Sequence, residues 1–107
     1  MQQIRPQQLA EWMADPARAK PLVLDVREPW EVEICRIDGA LAMPMRTVPT
    51  QASTLDAAAP VVVVCHHGMR SMQVAVFLER EGFTDVFNLQ GGIEAWASDV
   101  DPAMAHY

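Results

Sequence analysis

The chain has 107 residues, half of them hydrophobic and 21% charged, which fits one folded domain and excludes a disordered or fibrous protein. Its formal net charge is −6, and its eight basic residues are scattered. That balance excludes nucleic acid as the main partner. Met1 to Arg5 is polar and lacks the apolar centre of a secretory peptide, and runs such as Val61 to Cys65 are far too short to span a bilayer. Cys35 and Cys65 are expected to be free thiols in the cytoplasm.

In chain order, Ile4 is expected to begin a short edge strand. Pro6 suits the first turn of a helix that presents Leu9, Trp12 and Met13 on one face and ends near Asp15-Pro16. Pro21 to Val26 reads as a strand apolar on both faces. Pro29 starts a short helix running through Glu31 and Glu33, and Gly39 to Met43 forms a short strand closed by Pro44. Thr47 to Leu55 reads as loose helix or loop. Val61 to Val64 has no face left for water and is expected at the centre of a sheet. Ser71 to Arg80 carries a helical stripe of Val74, Phe77 and Leu78, with Gly82 as its C-terminal stop. Val86 to Leu89 is the last strand, Gly91-Gly92 turns into a helix bearing Ile93 and Trp96, and residues 99–107 form a polar surface tail. Trp12, Trp30 and Trp96 read as core or half-buried packing. Strands alternating with helices predict one α/β domain over residues 1–107, with a mostly parallel sheet between helical layers.

The segment with chemical content is Cys65-His66-His67-Gly68-Met69-Arg70-Ser71. It follows the central strand, and ligand sites in open α/β sheets lie beyond the carboxyl ends of strands. Gly68 permits a tight turn that can point successive N–H groups inward, and the following helix adds the positive end of its dipole. Such a bowl favours thiolate over thiol at Cys65. Arg70 at the rim suits a charged oxygen, and Ser71 offers the sulfur a hydroxyl. His66 and His67 shape the loop and tune its charge. No metal site is expected, because adjacent loop residues rarely converge on one ion and Cys35 and His106 are distant in sequence. Asp25, Arg27 and Glu28 read as a structural ion-pair group, and Cys35 as a packed thiol.

These seven residues resemble the Cys-x-x-Gly-x-Arg-Ser loop of single-domain rhodanese-like sulfurtransferases. Leu24 to Glu28 is similar to that family's Asp-x-Arg-Glu strand end. Ile37 to Ala40 with Met43-Pro44 is similar to its Gly-His-Ile-Pro-Gly-Ala segment, and Asn88 to Trp96 to its Gly-Gly-hydrophobic-x-x-Trp ending. Cys35, Arg36 and Asp38 depart from that pattern, and His66 and His67 stand where thiosulfate-using members often carry fixed positive charge.

The resemblance implies a three-layer domain with a central five-stranded sheet and a cofactor-free, two-step sulfur transfer. Cys65 is the nucleophile and His66, His67, Gly68, Met69, Arg70 and Ser71 bind the substrate. The implied partners are a small-molecule sulfur donor, thiosulfate or a persulfide, and a thiol, protein or cyanide acceptor, with no membrane involved. Two alternatives stand beside it. One is a persulfide relay or binding module serving a protein partner. The other is a cysteine-dependent phosphatase or arsenate reductase, disfavoured because Cys65 to Arg70 is Cys-x4-Arg rather than Cys-x5-Arg.

Overall fold

The computed structural model describes residues 1–107. Five strands form one sheet in the order β1-β5-β4-β2-β3, every pair parallel. In chain order the elements are β1 (Gln2–Ile4), α1 (Pro6–Ala14), β2 (Leu22–Asp25), α2 (Pro29–Ile34) and β3 (Leu41–Ala42). They continue with α3 (Val48–Gln51), β4 (Val61–Val64), α4 (Met69–Arg80), β5 (Val86–Leu89) and α5 (Gly92–Asp99). Because parallel strands share one direction, the ends of β2 and β4 and the start of α4 all face the same edge.

The four valines of β4 explain the layering. Val61 and Val63 point into a core closed by α3 and α4, while Val62 and Val64 point into a second core closed by α1 and α5. None is more than 1% exposed. Burying each contributes roughly 1.5–3 kcal/mol, so β4 is the spine of both layers. In the first core Val74, Ala75 and Leu78 of α4 meet Leu24 and Val86; in the second, Leu9 and Trp12 meet Ile93 and Trp96. No helix is long and apolar enough to cross a membrane.

Several boundaries differ from the sequence expectations. Ile4 ends the first strand rather than beginning it, because Gln2 and Gln3 are paired with Phe87 and Asn88 of β5. The strand expected over residues 39–43 shrinks to Leu41–Ala42, after a turn in which Gly39 has φ of 85°. Thr47 to Leu55 is helical, as α3 flanked by two 3-10 turns. Helix α4 starts at Met69 instead of Ser71, because Gly68 at φ 104° turns the chain directly into it. Asp99 closes α5, so the tail begins one residue later than expected. Trp30 is 60% exposed rather than packed in a core or half-buried.

Candidate active site

Cys65 follows the last residue of β4 and is 1% exposed. Its sulfur accepts the N–H of Gly68 at 3.0 Å and lies 3.3 Å from the Ser71 hydroxyl oxygen. The proton order around this sulfur follows from one carbonyl. The Asn88 side-chain NH2 donates to the Gly68 carbonyl at 3.2 Å and to Gln3 Oε1 at 3.0 Å, which turns Asn88 Oδ1 toward Ser71. Ser71 therefore donates to Asn88 Oδ1, at 2.5 Å, and its oxygen is left to accept the thiol proton. Gln3, Asn88, Ser71 and Cys65 form one continuous chain of hydrogen bonds.

The loop is braced from behind by α5. Ile93 N–H donates to the Cys65 carbonyl at 2.8 Å and Glu94 N–H to the His66 carbonyl at 3.1 Å. Such closeness needs glycine at position 92: a Cβ there would lie 2.4 Å from the His66 oxygen and 2.5 Å from the Cys65 oxygen. With these carbonyls tied outward, the peptide hydrogens of the turn are free to face the sulfur side. Gly68 N–H does so. The first-turn N–H groups of α4, at Met69, Arg70 and Ser71, have no partner within their helix. A shallow hollow beside the loop is lined by Gln3, His67, Gly68, Met69, Asn88 and Gln90.

Arg70 is placed differently from a free rim cation. Its guanidinium holds Glu31 through two bonds, at 2.6 and 2.8 Å. Glu31 is buried at the N-terminal turn of α2, where it also accepts the Glu28 N–H. The Arg70 bond, outweighing burial, holds the Glu31 carboxyl at about 2, well below its ordinary 4.5, and the Arg70 guanidinium is correspondingly more basic. Tyr107 donates its hydroxyl to Glu31 at 2.6 Å and accepts from Arg27 at 3.1 Å; burial first, then Glu31, pushes its phenol up to about 12. Arg27 is wholly buried against Asp25 at 2.7 Å and caps the Cys35 carbonyl at 2.7 Å. Glu28 pairs instead with Arg46 across the surface.

The tail thus does more than cover surface, since Tyr107 stacks on the His66 ring with centroids 3.9 Å apart. His66 in turn stacks on His67. Burial, then the neighbouring His67, lowers the His66 pKa and so favours the uncharged ring. Of the residues singled out by sequence, Cys65, Gly68 and Ser71 converge on the sulfur. His66 and His67 stand beside it, Arg70 is committed to Glu31, and the Met69 side chain is 70% exposed. Gln3, Glu31, Asn88, Glu94 and Tyr107 join the site from elsewhere in the chain.

Residues 5–99 match the Rhodanese-like domain family. The chain belongs to that family. Relatives include the thiosulfate sulfurtransferase GlpE of Pseudomonas aeruginosa, 34% identical over 91% of this chain and 84% of that protein. The Rhodanese-like/PpiC domain-containing protein 12, chloroplastic, of Arabidopsis thaliana is 38% identical over 97% of this chain. This chain spans only 36% of that plant protein, and 26% of the probable adenylyltransferase/sulfurtransferase MoeZ of Mycobacterium tuberculosis. Among solved structures, Staphylococcus saprophyticus SSP1007 superimposes with a TM-score of 0.84 at 27% identity, covering 99% of this chain and all of that one. The rhodanese-like domain protein of Staphylococcus aureus gives 0.82 at 29% identity, over 90% and 91% of the two chains.

Proposed function

We propose that the protein is a sulfurtransferase that carries sulfane sulfur on Cys65. The Cys65 thiolate attacks the outer sulfur of thiosulfate or a persulfide; the S–S bond breaks and sulfite, or the donor thiolate, leaves with the electron pair. A thiol or cyanide then attacks the outer sulfur of the Cys65 persulfide, forms a new bond to it and releases the thiolate. No cofactor is required. The observation that carries this function is the Gly68 N–H at 3.0 Å from Cys65 Sγ, a donor already aimed where negative charge resides in the thiolate. Two unpaired cysteines support a reducing compartment such as the cytoplasm.

Phosphate chemistry is disfavoured by Arg70. Its planar fork is filled by the Glu31 carboxylate, the shape a phosphate would otherwise occupy. Thiosulfate with cyanide is expected to give thiocyanate, and p-nitrophenyl phosphate no turnover. Intact mass after thiosulfate, or after a cysteine desulfurase with cysteine, should rise by about 32 Da in the native chain and not in Cys65→Ser. A gain only with the desulfurase would establish the relay form of the same chemistry. No gain with either, or phosphatase turnover alone, would overturn the proposal.

A further inference from the structure

The chain contains three histidines, and the fold gathers all of them around one carboxylate. Glu94, in the first turn of α5, has one oxygen 3.3 Å from His106 Nδ1 and the other 3.6 Å from His66 Nε2. His66, His67 and Glu94 each present a ligand atom, all within 4.8 Å of one another. The 3.6 Å approach is too long for a hydrogen bond, and His66 Nε2 is buried with no partner at all. A buried ring nitrogen without a partner is costly, and here it faces a carboxylate and a second imidazole. The spacing of cysteines and histidines alone does not reveal this cluster. Glu94 lies 27 positions beyond His67 and arrives through the α5 contact that braces the loop.

We propose that His66, His67 and Glu94 form a binding site for a divalent transition-metal ion of the zinc class. Two imidazoles and one carboxylate make a mixed nitrogen and oxygen donor set, which suits zinc, copper or nickel better than calcium or magnesium. Bonds of about 2.0–2.1 Å require donor atoms closer together than the present spread, at roughly 3.4 Å in a tetrahedron. His67 is exposed and can swing inward, while His66, stacked on Tyr107, is the fixed member. Ligation would give His66 Nε2 the partner it lacks. The site adjoins Cys65 but uses neither Gly68 nor Ser71, the groups that hydrogen-bond its sulfur, so it stands whether or not the protein transfers sulfur.

The test is equilibrium dialysis of the tag-free full chain against micromolar zinc, with elemental analysis, followed by cobalt(II) absorption spectra. One equivalent of zinc is expected in the native chain and in Cys65→Ser. The cobalt form should show visible d–d bands without a thiolate charge-transfer band. Glu94→Ala and His67→Ala should each weaken binding about tenfold or more while leaving far-UV circular dichroism unchanged. Both positions are at least partly solvent-exposed, so neither variant should fail to fold. Absence of zinc from the native chain, undiminished binding in both alanine variants, or loss of the ion in Cys65→Ser would overturn the proposal.

Discussion

The Ser71 hydroxyl has one proton and two neighbours able to take it. In the resting site the hydroxyl donates its hydrogen bond to Asn88 Oδ1 and accepts one from the Cys65 thiol. Ser71→Ala would leave the buried Asn88 Oδ1 without its donor and the Cys65 thiol hydrogen without its acceptor. It is expected to lower stability by about 1–3 kcal/mol in urea unfolding and to slow sulfur transfer, since Gly68 N–H alone would face the charged sulfur. Glu31 sets the acid limit. Its carboxyl titrates at about 2 in the fold against an ordinary 4.5, so its contribution is complete above about pH 4.5 and is lost as pH falls toward 2. Unfolding curves across that window should fall more steeply for the native chain than for Glu31→Gln, by an amount of order 2 kcal/mol. Cys65 to Ser71 were legible in sequence because they are contiguous and follow a run of valines. Asn88, Glu94 and Tyr107 were not, since each reaches the site through a tertiary contact that no local pattern marks. Arg70 was legible as a site member and not as half of an ion pair, because its partner lies 39 residues earlier.

At the scale of elements, the start of α5 decides whether the loop can exist. Gly92 has φ of 62° and sits against the carbonyls of Cys65 and His66, so a side chain there meets backbone that cannot yield without breaking the Ile93 and Glu94 bonds. Gly92→Ala is expected to cost about 3 kcal/mol or more and to abolish sulfur transfer, measured by thermal unfolding and the thiocyanate assay. Gly82, also at positive φ but with open space around it, should tolerate alanine with the smaller loss that backbone strain alone imposes. The helices with proline starts and apolar stripes were plain in sequence. The weak strands were not: β1 is mostly glutamine and exists because β5 offers it a partner, and β3 is two exposed residues held by β2.

For the molecule as a whole, charge and topology act together. With a net charge of −6 and both Arg27 and Arg70 already paired, the protein repels a dianion such as thiosulfate at long range. Added sodium chloride between roughly 0.01 and 0.15 M should therefore raise kcat/KM for thiosulfate, because the screening length shrinks from about 30 to about 8 Å. A fall with salt would reveal local attraction strong enough to dominate. A mostly parallel sheet was predictable from β-branched runs alternating with helices, and its five strands only from the family resemblance, whereas the reach of Tyr107 back to the second helix was not. The bonds from Ile93 and Glu94 to the loop also impose an order of events during synthesis. A nascent chain emerging from the ribosome as far as β5 has its nucleophile in place but nothing behind it to hold the turn. Reactivity tuned by this turn should therefore arrive late, as a property of the finished fold.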